Sequence, residues 1–278
     1  MKHQKIFLKD YFSFLGENGK NPYVETYLPQ NLSSMKQENR KRPCIIICPG
    51  GGYLRCSDRE SEPVALKFLT DGYNIFVLNY SVKPHYFPSQ IREVAAVLEI
   101  IHKNAEIWNC DITKIAILGF SAGGHLAAHY STMYNCKEVR QAFPESKPVN
   151  ASVLVYPVIT GVFNFAHKGS INNLIGDLEA TEEIRKYFSC ELNVDENTPP
   201  AFICHTAQDN AVPVENSLLY ASALSKYKIP FELHIFPFGA HGSATNDDQT
   251  IANVTWINKY NSVWIDEAKK WLRVTFNI

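Results

Sequence analysis

Residues 115–125 read Ile-Ala-Ile-Leu-Gly-Phe-Ser-Ala-Gly-Gly-His. The first four form an apolar run typical of a strand that is covered on both faces, and the residues after Ser121 favour a helix. A strand that turns sharply into a helix crowds its own backbone, and the glycines two positions on either side of Ser121 relieve that clash. Such a turn projects the Ser121 hydroxyl above a sheet, at the start of a helix whose dipole favours negative charge. The sequence therefore predicts a nucleophilic serine, and the alternative is a glycine-rich turn with a helix-capping serine.

Similar apolar runs recur on both sides of this stretch and are separated by amphipathic segments. In the segment 90–103, apolar residues return every three or four positions and mark one buried helix face. This alternation predicts an α/β fold with a mostly parallel central sheet and helices on both faces. We expect one more strand, Val24–Leu28, to join the sheet antiparallel at an edge. The predicted strands are Cys44–Cys48, Ile75–Asn79, Ile115–Gly119, Ser152–Tyr156, Ala201–His205 and Phe231–Phe236, and the predicted helices are Glu60–Thr70, Gln90–Lys103, Gly123–Tyr134, Glu215–Tyr227 and Trp256–Val274.

The length and composition are compatible with one large α/β domain or two small ones. The chain has 278 residues, of which 45% are hydrophobic and 20% charged, as in ordinary globular proteins. No repeat, low-complexity tract or linker divides it, so we predict a single domain over residues 1–278. The segment 160–199 is longer than a usual connection between strands and holds a weak helix at Glu182–Phe188. We interpret this segment as a lid-like or cap insertion, and an additional packing helix without functional role is the alternative.

Charge and targeting signals narrow the class of partner. Lys and Arg number 27 against 28 Asp and Glu, which gives a net charge of −1 and disfavours nucleic acid or an anionic membrane as the main partner. Lys9 and Asp10 interrupt the first apolar run, so no signal-peptide core forms, and no stretch approaches the roughly 20 apolar residues of a membrane helix. The cysteines number seven, and none of them forms a Cys-x-x-Cys pair. We therefore expect a reduced, cytoplasmic protein, and both a monomer and a homodimer are compatible with the sequence.

Three consecutive glycines follow the first buried strand, in the sequence Pro49-Gly-Gly-Gly-Tyr53. Ordering three glycines has a large entropic cost, which indicates that the backbone must approach another group closely. We predict that the N–H groups of Gly51 and Gly52, together with that of Ala122, form an oxyanion hole. A phosphate-binding loop is the competing interpretation, but the segment lacks both the Lys-Ser/Thr of a P-loop and the glycine spacing of a dinucleotide fold.

A serine hydroxyl needs an imidazole that accepts its proton and a carboxylate that orients the imidazole. In an open α/β sheet these groups belong on loops at the carboxyl ends of later strands. Asp209 follows the predicted strand Ala201–His205, and His241 follows Phe231–Phe236. The order Ser121, Asp209, His241 is the chain order of an α/β-hydrolase triad, so we predict these residues as nucleophile, acid and base.

Other histidines and aspartates are weaker candidates. His125 and His129 are four residues apart on a predicted helix, the spacing of a metal-binding pair. The Glu of the zinc-protease motif is missing between them and no third ligand is evident, so we predict no metal site and expect His125 to pack near the base of the serine turn. The remaining candidates lie within strands, follow His241 in the chain or fall in the irregular insertion: His205, His234, Asp247, Asp248 and Asp195.

Together these segments resemble the α/β-hydrolase superfamily, and more narrowly the esterase/lipase group of bacterial acetyl-xylan esterases and hormone-sensitive-lipase relatives. The resemblance extends from about Val24 to Trp271. Pro49 stands where many members have His, and Phe120 stands where hormone-sensitive-lipase relatives usually carry Asp, so both positions are closer to the acetyl-xylan esterases. The matching segments are Gly50–Gly52, Tyr80–Pro88, Gly119–Gly123, Asp209-x-x-Val-Pro213 and His241-Gly242.

The resemblance implies hydrolysis of a small-molecule ester with a short acyl group, including acetyl esters on sugars or xylo-oligosaccharides, and it implies no cofactor. Two other functions remain open. A peptidase of the prolyl-oligopeptidase type shares the serine turn and the order of the triad, but usually carries a large additional domain. A non-catalytic ligand-binding protein of the same fold is the second alternative, although such proteins usually lack the serine or the histidine.

Overall fold

The computed structural model describes residues 1–176, 178–250 and 258–278. In this part of the chain eight strands form one sheet, in the order β1-β2-β4-β3-β5-β6-β7-β8. From β4 to β8 neighbouring strands are parallel, whereas β2 runs antiparallel to both β1 and β4. The strands are β1 (Lys2–Phe7), β2 (Tyr23–Leu28), β3 (Arg42–Cys48), β4 (Asn74–Asn79), β5 (Cys110–Phe120), β6 (Ala151–Val155), β7 (Ala201–Thr206) and β8 (Phe231–Phe236).

Helices cover both faces of the sheet. Alternate residues of a strand point to opposite faces, so Ile46 packs in the hydrophobic core under α2, α3 and α7, while Ile45 and Ile47 pack in the core under α1 and α9. This two-sided burial explains why the strands are continuously apolar, and it confirms the predicted fold class. The helices are α1 (Glu62–Leu69), α2 (Ser89–Lys103), α3 (Ser121–Met133), α4 (Lys137–Ala142), α5 (Lys168–Ile175), α6 (Glu182–Tyr187), α7 (Glu215–Lys226), α8 (Lys259–Ser262) and α9 (Trp264–Phe276).

The two ends of the chain differ from the sequence-based expectation. The antiparallel strand β2 lies one position inside the edge, because β1 pairs with its outer side. Four of the six β1 residues are exposed, so this edge strand needs no apolar pattern and carries none that could be recognised. The predicted helix Trp256–Val274 corresponds to α8 and α9, and its first residues, 256 and 257, lie outside the described part of the chain.

The insertion 160–199 packs against the carboxyl end of the sheet. It contains α5, α6 and a 3₁₀ turn at Cys190–Leu192. The Asn173 side chain on α5 donates a hydrogen bond to the Gly52 carbonyl at 2.9 Å, and the Phe188 carbonyl accepts one from His125 on α3 at 2.8 Å. The insertion therefore contacts both the glycine loop and the helix that follows Ser121. Among the described helices, none has the length and apolar character needed to cross a bilayer.

Candidate active site

Ser121 lies in the tight turn between β5 and α3, and its backbone has a positive φ of 51°. Non-glycine residues rarely adopt this left-handed conformation, so the surrounding structure must hold it in place. A side chain on Gly119 would contact the Gly123 backbone, and a side chain on Gly123 would contact the carbonyl oxygens of Cys48 and Pro49. Both glycines are thus required because two backbone segments approach each other closely.

The structure brings together the three residues that were predicted as nucleophile, base and acid. The Ser121 hydroxyl lies 2.8 Å from His241 Nε2, and His241 Nδ1 lies 2.6 Å from Asp209 Oδ2. Because a carboxylate only accepts, Nδ1 carries the proton and Nε2 can accept the one from Ser121. The loops after β7 and β8 supply the acid and the base, and Asp209 is buried with 6% of its surface exposed. This geometry suits activation of the serine hydroxyl by an oriented imidazole.

Asp209 is held as an anion by several hydrogen bonds. Its Oδ1 accepts the backbone N–H groups of Ala211 and Val212, both at 2.9 Å, and its Oδ2 lies 3.3 Å from His205 Nε2. Burial alone would raise the pKa of Asp209, but the hydrogen bonds from His205 and His241 and the charge of His241 lower this pKa well below its usual range. Asp209 therefore remains ionised at neutral pH and can stabilise an imidazolium at His241.

His205 is the buried structural histidine that its position in a strand predicts. Its Nε2–H donates to the Val212 carbonyl at 2.9 Å, and its Nδ1 accepts from Ser217 at 2.7 Å. Its contact with the Asp209 carboxylate, however, was not predicted, because no sequence pattern distinguishes a core histidine from one beside a functional carboxylate.

The glycine loop presents free N–H groups beside the serine. Gly50 N–H donates to Glu60, whereas no acceptor within the described residues takes the N–H of Gly51 or Gly52. Both residues have a positive φ, of 126° and 67°, and both line the pocket that contains Ser121 and His241. Ala122 N–H belongs to the first turn of α3, where N–H groups have no partner within the helix. Two of the predicted oxyanion donors thus line the pocket that contains Ser121, and the third follows Ser121 directly in the chain.

The pocket above Ser121 has a volume of about 740 Å³, within the range of pockets that bind small molecules. In the described part of the chain, most of the side chains around it are polar or charged, and the apolar ones, Cys56, Pro63 and Ala211, are small. His167, from the insertion, also lines the pocket. Burial and the charge of His241 lower the pKa of His167, so its imidazole is neutral at neutral pH. The polar lining includes Arg55, Ser57, Asp58, Arg59, Gln249 and Thr250.

Three other candidates from the sequence, His125, Asp247 and Asp195, make their contacts outside the chain of hydrogen bonds from Ser121 to Asp209. His125 is fully buried on α3, where its Nδ1 accepts from the Tyr53 hydroxyl at 2.8 Å, and burial lowers its pKa to about 4. Asp247 forms an ion pair with Lys67 at 2.7 Å, and Asp195 bonds to neighbouring residues of its own turn. No cluster of three or more His, Cys, Asp or Glu side chains suited to a metal ion occurs among the described residues.

The order of the strands, the serine turn and the loops that carry Asp209 and His241 define an α/β hydrolase. The chain belongs to the BD-FAE family, to which residues 27–224 match. Among solved structures, the acetyl ester-xyloside bifunctional hydrolase of Caldicellulosiruptor lactoaceticus is similar to this chain, with a TM-score of 0.84 and 33% sequence identity. The match covers 99% of this chain and 97% of that one. These findings confirm the resemblance inferred from the sequence motifs.

Two relatives carry names that refer to xylan. Endo-1,4-beta-xylanase B of Butyrivibrio fibrisolvens is 37% identical over 80% of this chain and 36% of its own length. The acetylxylan esterase of Xylanibacter ruminicola is 31% identical over 93% of this chain and 49% of its own length. The chain thus spans half the length of these relatives or less, and each of them contains sequence that has no counterpart here.

Proposed function

We propose that the protein is a serine esterase that removes short acyl groups, in particular acetyl groups, from saccharides of the xylo-oligosaccharide type. The observation that carries the proposal is the continuous hydrogen-bond chain from Ser121 through His241 to Asp209, beside the N–H groups of Gly51 and Gly52, which no acceptor among the described residues takes. A non-catalytic binding protein has no need for this chain or for a strained serine.

The reaction follows from the positions of the atoms. Ser121 Oγ attacks the ester carbonyl carbon while His241 Nε2 accepts the hydroxyl proton, and the carbonyl oxygen becomes an oxyanion. The N–H groups of Gly51, Gly52 and Ala122 would bind that oxyanion. When the tetrahedral intermediate collapses, the C–O bond to the alcohol breaks and His241 returns the proton to the leaving alcohol. Water then attacks the acyl-enzyme with His241 as base, and the acid and free Ser121 result.

The substrate class is argued from the pocket and from the relatives. A saccharide presents hydroxyl groups in every direction, and a pocket lined by arginine, aspartate, glutamine and threonine side chains can bind them. A long acyl chain needs an apolar channel, and among the residues that the structure describes the apolar side chains lining this pocket are few and small. The names of the xylanase and acetylxylan esterase relatives are consistent with this choice.

Hydrolysis of aryl acetate, butyrate and octanoate, measured beside acetate release from acetylated xylo-oligosaccharides, tests the proposal. We expect turnover of the acetate and butyrate esters, little of the octanoate, and acetate release from the saccharide. Ser121→Ala should lower kcat by roughly 10⁴-fold or more. The matched control is Ser131→Ala, which removes a buried hydroxyl on the same helix that bonds only to the Ala127 carbonyl. Absence of ester turnover, with cleavage of a peptide anilide instead, would favour the peptidase.

A further inference from the structure

We propose that Glu60 is a positioning residue that ties the oxyanion loop to the loop that carries His241, with Tyr156 as the connecting side chain. This inference rests on the proposed esterase function and assigns a role to residues that no sequence motif marks. Glu60 ends a 3₁₀ turn, Asp58–Glu60, just before α1, and only 3% of its surface is exposed. Neither Lys nor Arg forms an ion pair with it among the described residues.

Each oxygen of Glu60 binds a different loop of the site. Oε2 accepts the N–H of Gly50 at 2.8 Å, and Oε1 accepts the hydroxyl proton of Tyr156 at 2.8 Å. Gly50 is the first residue of the glycine loop, so this bond sets the direction of the following peptide groups. A side chain on Gly50 would come within 2.7 Å of Glu60 Oε2 and 3.0 Å of Ser121 Cβ, which shows how closely the loop, the carboxylate and the serine approach.

Tyr156 extends the connection to the histidine loop. It follows β6 with a positive φ of 38°, and its hydroxyl oxygen accepts the N–H of Ala244 at 2.8 Å. Its ring also contacts the His241 imidazole edge-on, with centroids 4.9 Å apart. Burial raises the pKa of Tyr156 well above its usual value, so the hydroxyl keeps the proton that it donates to Glu60. The hydrogen bonds therefore converge on Glu60, from Ala244 through Tyr156 on one side and from Gly50 on the other.

The buried carboxylate of Glu60 depends on its hydrogen bonds to the two loops. Burying a carboxylate without a cationic partner costs several kcal/mol unless hydrogen bonds compensate it. Burial raises the pKa of Glu60, and the bonds from Tyr156 and Gly50 together with the charge of His241 oppose that rise. Buried carboxylates without a cationic partner are exceptions in protein cores, and such exceptions are concentrated at functional sites. Here the carboxylate connects the glycine loop to the loop that carries His241. The relative position of these two loops decides whether the oxyanion donors and the base can act on the same carbonyl group.

Removing the carboxylate should therefore impair the transition state more than substrate binding. For Glu60→Ala we expect kcat for an aryl acetate to fall by roughly 100-fold, the effect of misplacing an oxyanion donor, with KM changed less than threefold. Affinity for a boronic acid, which forms a tetrahedral adduct with the serine, should fall by a similar factor. Glu60→Gln can keep an oxygen towards Gly50, but its NH₂ group would face the hydroxyl that Tyr156 uses as a donor, so it should recover only part of kcat.

Tyr156→Phe tests the same connection without touching the carboxylate and guards against a misfolded Glu60 variant. We expect its kcat to fall by roughly tenfold, and the double variant to lose no more than Glu60→Ala alone, because both changes break one chain of bonds. Two variants serve as matched controls. Glu93→Ala removes a buried carboxylate that accepts the Ser81 N–H at 2.7 Å. Tyr130→Phe removes a buried hydroxyl that donates to the Lys147 carbonyl at 2.8 Å. Both controls should lower Tm and leave kcat unchanged.

The outcomes separate the positioning role from the proposed function. If Glu60→Ala and Tyr156→Phe keep kcat within threefold of wild type, or if KM rises while kcat stays, the positioning role is wrong. The rate at which a fluorophosphonate labels Ser121 gives a second readout that needs no natural substrate. A wild-type chain that is labelled but hydrolyses no ester contradicts the proposed function alone, and Glu60 is then judged on its labelling rates. A wild-type chain that is not labelled overturns both.

Discussion

The Asp209→Asn variant tests the proposed triad most directly, because the structure dictates how the new amide must lie. Oδ1 of Asp209 accepts two backbone N–H groups, from Ala211 and Val212. In the variant the amide oxygen must stay at that position, since an NH₂ group there would face two donors. The NH₂ group is therefore directed at His241 Nδ1, where Oδ2 stood at 2.6 Å.

An NH₂ group opposite Nδ1 selects the wrong tautomer of the base. His241 would then accept at Nδ1 and carry its proton on Nε2, so it could no longer take the proton of Ser121. The corresponding Asp-to-Asn change in a serine protease triad lowers kcat by about 10⁴-fold. At about 1.4 kcal/mol for each factor of ten, the expected rise in the activation barrier is about 5.5 kcal/mol.

Steady-state hydrolysis of an aryl acetate at pH 7.5 measures this effect. We expect kcat to fall by about 10⁴-fold while KM changes little, because Asp209 contacts no substrate. Asp195→Asn is the matched control, since Asp195 also accepts a backbone N–H, that of Asn197 at 2.8 Å, but lies in the insertion. A loss below tenfold in Asp209→Asn would refute the assignment of Asp209 as the residue that orients the base.

Three further variants address the turn, a buried carboxylate and the insertion. Gly123→Ala places a methyl group against two backbone carbonyl oxygens, so we expect a lower Tm and loss of esterase activity. The control is Gly169→Ala, whose new methyl group has its nearest contact at 3.6 Å and should leave Tm unchanged or higher. Burial raises the pKa of Glu93 to about 7. Between about pH 4.3 and 7 the folded state therefore binds more protons than the unfolded state. The free energy of unfolding of the wild-type chain consequently falls as pH rises through that range. Glu93→Gln removes this loss, so Tm of the variant minus Tm of wild type should increase from pH 5 to pH 8, and a constant difference would contradict the raised pKa. Asn173→Ala removes the 2.9 Å bond to the Gly52 carbonyl and should lower kcat by roughly three- to tenfold through a looser oxyanion loop, with Tm nearly unchanged.

Much of the fold follows from local sequence because burial on both faces of a parallel sheet leaves a continuous apolar pattern. The strands β3 to β7 are recognisable for this reason, and β2 is too, since part of it is buried. The edge strand β8 is largely half-buried or exposed, and it is recognisable from its bulky apolar residues instead. β1 has no such pattern because most of it faces solvent, so its place at the edge of the sheet could not be derived from its sequence.

The proposed nucleophile is equally local. Ser121 and its glycines lie within five residues, so the motif alone marks the turn, although the contacts that exclude a side chain at Gly123 are with the distant residues Cys48 and Pro49. Asp209 and His241 needed one further step, in which loops after successive parallel strands meet at the same edge. Their positions directly after predicted strands, together with their order along the chain, distinguished them from the other histidines and aspartates.

Sequence alone determined the fold class, the position of the serine turn and the choice of Ser121, Asp209 and His241, because each leaves a periodic or short-range pattern. Only the tertiary structure placed Glu60 against Tyr156, which lies 96 positions away in the chain, and His205 beside the Asp209 carboxylate. A hydrogen bond between side chains on distant elements has no local signature, because it depends on how the sheet, the helices and the loops pack around it. The geometry that would hold the base and the oxyanion donors at one carbonyl group is thus a property of the packed molecule.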